Sequence, residues 1–238
     1  LFPLHDALPI SEGRQPEGLR FRFMGPAVGN RISAVAGVPG DLNTYYAGAA
    51  SGGIWKSSDG GFRFTPIFDD QPVAAIGALT VASSNPSIVW AGTGEAWAIR
   101  DVDMMGNGMY KSTDAGQTWT PMGLDETGRI GRIVIHPTNP DIVFAAALGR
   151  LTGPQQERGV YRTTDGGKTW QRVLFVDPNT GCSGLAMDPN NPQVLFAGMW
   201  QVEMHTYGMF SGGPGSGIYV SRDGGSTWRR LLGHGLPK

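Results

Sequence analysis

One eight-residue pattern occurs four times in this chain and governs everything else in it. The copies are Ser57-Ser58-Asp59-Gly60-Gly61-Phe62-Arg63-Phe64, Ser112 to Trp119, Thr163 to Trp170 and Ser221 to Trp228, or [S/T]-x-D-[G/A]-G-x-x-[W/F]. Their aspartates, Asp59, Asp114, Asp165 and Asp223, follow one another at 55, 51 and 58 residues, a period typical of propeller blades or solenoid units. A Gly-apolar-aromatic run precedes each copy: Gly53-Ile54-Trp55, Gly108-Met109-Tyr110, Gly159-Val160-Tyr161 and Gly217-Ile218-Tyr219. Further upstream, Asn85-Pro86, Asn139-Pro140 and Asn191-Pro192 each lead into an apolar stretch ending in Ala-Gly or Ala-Ala. With one apolar run before that stretch and one after the box, each repeat holds four short strand-like segments bounded by turn residues. Four antiparallel strands in about 50 residues make a propeller blade. We therefore expect an all-β chain of four blades at about residues 29–68, 74–123, 130–175 and 182–232, forming an open arc of a larger propeller. The box falls on the turn between the third and fourth strands, C and D.

Composition supports the same class and removes others. There are 37 glycines with 40% hydrophobic residues, which favours many tight turns over disorder or a helical bundle. The net charge is −1 and the densest basic cluster is Arg229-Arg230, so no electrostatic footprint for nucleic acid exists. The longest uncharged run, Gln71 to Gly94, is broken by Pro72, Asn85 and Pro86 and reads as two strands rather than a membrane span. A single cysteine, Cys182, rules out an intrachain disulfide framework. The opening Leu1 to Ile10 resembles a translated sequencing-adapter oligonucleotide, so residues 1–11 are expected to be disordered and foreign to the fold. Residues 12–28 read as a lead-in segment.

The box aspartates fit a structural task. A carboxylate and a hydroxyl two residues apart accept hydrogen bonds from the turn's own amides, glycine allows positive φ, and the aromatic is expected to cover the hairpin. One catalytic centre has no use for a carboxylate repeated fourfold.

The boxes resemble the Asp box, or bacterial neuraminidase repeat, and together with the Asn-Pro strands they are similar to the sortilin-type propeller family over about residues 20–238. The resemblance implies a propeller and an extracellular or periplasmic location. It implies function weakly, because related propellers include sialidases, xyloglucan-cleaving enzymes and a photosystem II assembly factor. Xyloglucanase-type members carry a catalytic Asp in a T-D-V-G-G stretch. The matching residues here are Ala49-Ala50-Ser51-Gly52-Gly53, which put Ala50 at the carboxylate position. A sialidase would need an Arg-Ile-Pro opening that Leu19-Arg20-Phe21-Arg22-Phe23 lacks.

Two connections between the second and third strands, B and C, are long: Glu95 to Met105 and Trp200 to Phe210. Loops on a rigid scaffold carry specificity, so Glu95, Trp97, Asp101, Asp103, Trp200, Glu203, His205 and Tyr207 are the candidate ligand-binding residues, with Phe210 beside them. Aromatic rings would stack on sugars or peptide side chains, and the acids would anchor polar groups. The equally weighted alternative is that these loops merely pack on neighbouring blades. Asp101 and Asp103 fail the calcium-loop pattern, and neither His205 nor His136 has a second histidine at zinc spacing. Ser211 to Gly217 lacks the Gly-Lys-[Ser/Thr] of a phosphate loop. No metal and no cofactor is expected. The leading expectation is a non-catalytic scaffold that binds protein, peptide or polysaccharide and docks on further blades of the same propeller. The alternative is a secreted glycoside hydrolase whose carboxylates lie partly outside this sequence.

Overall fold

A computed structural model describes residues 31–96, 104–233 and 235. Four antiparallel sheets follow one another along the chain. The first is β1 (Ile32–Val38), β2 (Asp41–Ala49), β3 (Ile54–Ser57) and β4 (Thr65–Pro66), and the second is β5 (Ile76–Val81), β6 (Val89–Thr93), β7 (Met109–Ser112) and β8 (Thr120–Pro121). The third is β9 (Ile130–Ile135), β10 (Val143–Ala147), β11 (Gly159–Thr163) and β12 (Gln171–Leu174). The fourth holds β13 (Thr180–Met187), β14 (Leu195–His205), β15 (Gly208–Ser211), β16 (Gly217–Ser221) and β17 (Arg229–Arg230). Each sheet pairs its strands in sequence order as expected, except that β15 folds back on β14 alone. The fourth sheet is therefore five-stranded. Its B-to-C connection, expected to be a loop, is a β-ribbon turning at Thr206 and Tyr207. The alternation of Val202 and Met204 with Glu203 and His205 has the period of a strand.

Sheets pack face to face in an open arc, β1 against β5, β5 against β9 and β9 against β13. Three apolar clusters fill the three interfaces: Tyr46 with Ile76 and Leu79, Trp90 with Ile130 and Ile133, and Phe144 with Cys182 and Leu185. Each large side chain buried this way stabilises the arc by about 1.5–3 kcal/mol. Burial also pushes the Cys182 thiol up to about 12, which leaves it an inert packing group.

The box aromatics take part in these interfaces, contrary to the expectation that each covers its own hairpin. Trp119 Nε1 donates to the Ile67 carbonyl at 2.8 Å and Trp170 Nε1 to that of Met122 at 2.7 Å, each reaching the preceding blade. Only Trp228, bonded to Gly225, stays local among the three tryptophans. The second box glycine receives an aromatic of the preceding blade, since a Cβ on Gly167 would lie 2.4 Å from Trp90 and one on Gly225 2.6 Å from Phe144.

The second box departs from glycine at its fourth position, where Ala115 sits at φ 59°. A left-handed conformation costs an L-residue about 1–2 kcal/mol, and the greater freedom of glycine in the unfolded chain takes back about 0.4–1 kcal/mol. Ala115→Gly is therefore expected to raise stability by about 0.5–1 kcal/mol, read as a higher urea midpoint with an unchanged slope.

Candidate functional site

Every Asp-box turn is held by the same bonds. Ser112 Oγ donates to Asp114 Oδ1 at 2.7 Å and accepts from Gly116 N at 2.8 Å, while Thr118 supplies its amide at 2.9 Å and its hydroxyl at 2.6 Å. Asp165 and Asp223 repeat this with Thr163, Thr169, Ser221 and Thr227. Asp59 also accepts from its box hydroxyl, Ser57 Oγ, at 2.9 Å, but Arg63 supplies only a backbone N–H where the others also have a threonine hydroxyl. The carboxylates are thus saturated by local donors. Hydrogen bonds led by the Thr118 and Thr227 hydroxyls hold Asp114 and Asp223 down to about 2, and that of Thr169 lowers Asp165 as well. The Arg63 amide does the same for Asp59.

A carboxyl whose pKa falls on folding stabilises the native state above its unfolded value, near 3.9, and loses that contribution as pH drops through the folded value. Stability should accordingly decline between about pH 4 and 2. A Thr118→Val, Thr169→Val, Thr227→Val triple variant should show a shallower decline, measured by thermal melts across that window.

The loop face lies at the opposite end of the sheets, because consecutive antiparallel strands reverse at every turn. Here Glu95 is buried, and its carboxylate is held by Arg31, with Nε 2.7 Å from Oε1 and Nη2 2.5 Å from Oε2. This ion pair ties the start of β1 to the end of β6. Trp97, Asp101 and Asp103 lie outside the described residues, as does the opening segment 1–30.

The remaining candidates gather on the ribbon. Trp200 is half-buried, its Nε1 3.0 Å from Ser211 Oγ, and it packs with Ala96 and Met204 over Leu148, Leu151 and Val202. The ribbon base is therefore a small second core joining connections of blades two, three and four. At the tip, His205 Nε2 stands 3.1 Å from Glu203 Oε1. The His205 ring stacks on Tyr207 at 5.0 Å and meets the edge of Phe210 at 5.7 Å. Tyr207 is 78% and Phe210 57% exposed, so the tip offers ring faces beside one carboxylate.

Two features escaped the sequence reading. A third long connection, residues 148–158, sits between the other two. From it comes Arg158, fully buried, which donates to the carbonyls of Asn179 and Arg150 at 2.5 Å, Gly153 at 3.0 Å and Val202 at 3.3 Å. It pins the ribbon to blade three. Burial lowers its pKa, yet a guanidinium stays charged at any ordinary pH. No local pattern around Glu157-Arg158-Gly159 separates it from a surface arginine.

The sequence profile of the family described as "Sortilin, neurotensin receptor 3" matches residues 107–235, more than half of the chain. The chain belongs to the sortilin–Vps10 family. Curated relatives of this sortilin–Vps10 chain include a xyloglucanase of Hypocrea jecorina, 26% identical over 80% of this chain and 24% of the relative. Another is the vacuolar protein sorting/targeting protein 10 of Mycosarcoma maydis, 31% identical over 34% of this chain and 5% of the relative. Among solved structures, an ancestral GH74 enzyme superposes at a TM-score of 0.65 with 21% identity, over 89% of this chain and 25% of that one. A GH74 enzyme of Niastella koreensis gives 0.55 at 21% identity, over 84% and 38%. The chain spans about a quarter of the length of the first xyloglucanases it matches. These likenesses carry the propeller fold. At the position matching the T-D-V-G-G carboxylate, Ala50 is a buried methyl whose amide bonds the Arg31 carbonyl.

Proposed function

We propose that this sortilin–Vps10 chain is a non-catalytic part of a propeller that binds a ligand, a polysaccharide first of all, on its loop face at the ribbon tip. The observation that carries this is the exposed pair Tyr207 and Phe210 packed around half-buried His205 beside Glu203, held on a ribbon that Arg158 and the Trp200 cluster keep rigid. Flat apolar ring faces next to a hydrogen-bond acceptor suit the C–H face and hydroxyl edge of a sugar. Several curated relatives are xyloglucanases, which makes a branched β-glucan the first ligand class to test. The buried pairing of Glu95 supports a structural rather than a ligand-contacting duty for that residue. Peptide and protein ligands, and an extracellular or periplasmic location, belong to the same reading. Among the described residues no helix is long and apolar enough to cross a membrane.

Calorimetric titration with xyloglucan oligosaccharides, cello-oligosaccharides and a peptide panel tests it. Tyr207→Ala and Phe210→Ala should each weaken binding about tenfold, the order of one aromatic contact, without moving the melting temperature. Unchanged affinity in both variants and in Trp97→Ala would sink the assignment. A second reading, a glycoside hydrolase sharing its carboxylates with other blades, draws on the same relatives and would be supported by release of reducing sugar from xyloglucan.

A further inference from the structure

The strand at the outer edge of each described sheet is shielded, and the ribbon strand β15 is not. A sheet edge offers unpaired N–H and C=O groups to any incoming strand, and proline, charge or short length blunts that offer. The outermost strands are β4, β8, β12 and β17. Of these, β4 and β8 are two residues long and end in Pro66 and Pro121, β12 carries the exposed Arg172, and β17 is Arg229–Arg230. Gly208-Met209-Phe210-Ser211 of β15 holds no charge and no proline, is exposed at every residue and pairs with β14 alone. Sheets of the arc stack through their faces, whereas this edge lies in the plane of its own sheet. Its freedom therefore does not turn on the blades to either side.

The register fixes which backbone groups point outward. Gly212 N donates to the Gln201 carbonyl at 2.9 Å, which makes those two residues a hydrogen-bonded pair. Bonded and non-bonded pairs alternate along an antiparallel ladder, so Phe210 with Glu203 and Gly208 with His205 are the other bonded pairs. Met209 and Ser211 consequently turn their N–H and C=O groups away from β14, and among the described residues no backbone group meets them. Side chains add direction. Glu203 and Phe210 stand opposite each other and share the exposed face of the ribbon, whereas Val202 and Met204 turn to Leu148 and Leu151. Glu203 is also the only formally charged residue between Trp200 and Gly212.

We infer that an extended basic peptide docks on the ribbon by adding a strand to β15, taking up the outward N–H and C=O groups of Met209 and Ser211. The inference rests on the loop-face reading and narrows its peptide branch to one partner chemistry. The peptide residue opposite Phe210 lies in a row with Phe210 and Glu203. Two strand spacings, about 10 Å, separate its backbone from that of Glu203. A lysine or arginine crosses that span by laying its stem over the Phe210 ring, with its charge toward the carboxylate. An acidic residue in the same place faces a like charge. The edge is already in position, since Met204 N, bonded to the Leu151 carbonyl at 2.8 Å, and Arg158, bonded to that of Val202, hold β14.

Amide hydrogen exchange of the 238-residue chain tests this, with a capped peptide of about seven residues, valines and threonines around a central arginine. The free chain should exchange quickly at Met209 and Ser211. Saturating peptide should slow both by at least about tenfold, while Phe210, already bonded to β14, changes little. A central glutamate in place of the arginine should weaken binding about tenfold. Ser211→Pro removes one outward N–H at an edge position that tolerates proline, so peptide should no longer protect Met209. Glu203→Gln leaves the backbone alone and should erase the preference for the arginine peptide. Slow exchange at both amides in the free chain would overturn the inference, as would equal binding of the two peptides. Protection that grows with protein concentration alone would assign the edge to a second copy and overturn it too. Binding of xyloglucan oligosaccharide without peptide protection would remove this inference and leave the sugar reading standing. Peptide protection without sugar binding would do the reverse.

Discussion

Trp90→Ala is expected to cost about 3–5 kcal/mol, the range for emptying a buried large aromatic site. Trp90 is fully buried, meets Trp170 edge-on at 5.9 Å and underlies Lys111 Nζ at 5.2 Å. It occupies the contact between blades two and three that Gly167 opens for it, so the substitution empties space shared by two sheets. Its Nε1 finds no acceptor, and a buried unpaired N–H is itself unfavourable by about 1–3 kcal/mol. Trp90→Phe removes that group along with some volume and should cost under about 2 kcal/mol. Urea unfolding of both variants decides the matter. Equal losses would mean that the indole N–H has a partner or that the site collapses freely.

Arg158→Met should be nearly as damaging, about 3–5 kcal/mol, the range for removing one member of a buried charged network. The thioether fills part of the guanidinium's volume, yet four carbonyls each lose a donor at once. Because two of those carbonyls, Asn179 and Val202, lie in or beside blade four, the effect should be spatially confined. Hydrogen exchange should quicken first at Met204, whose amide bonds the Leu151 carbonyl, while the Asp-box amides Gly61 and Gly116 stay protected. Uniform acceleration would show that Arg158 supports the whole arc and not the ribbon in particular. Oligosaccharide affinity should fall with it, separating a loss of positioning from the direct loss expected of Tyr207→Ala.

Strand order, the box turns and their saturated carboxylates could be read from the sequence because each is a local matter. The donors to Asp114 lie within four residues of it. What stayed hidden depends on partners brought from far along the chain. Glu95 reads as a free anchor until Arg31, 64 residues away, is seen to close on it. Trp119 and Trp170 look like lids for their own hairpins, but their acceptors lie 52 and 48 residues upstream. The ribbon at Trp200 to Phe210 was legible in principle, since Val202 and Met204 alternate with polar residues. The long aromatic insert masked that period by looking like a binding loop. Where the candidates do converge, at His205 and Tyr207, the turn between β14 and β15 brings them together, and sequence proximity alone does not specify a stacked pair.

The sheets pack one on the next in the series β1, β5, β9 and β13, and at the first two junctions an isoleucine of the incoming strand, Ile76 or Ile130, sits on a glycine of the blade before it, Gly48 or Gly92. Stability in such an array is a sum of unit and nearest-neighbour terms, as in a one-dimensional lattice. No contact counts the blades. A duplicated blade spliced between blades two and three would present an isoleucine to Gly92 behind it and a glycine to Ile130 ahead, so arcs of different length need no new interface.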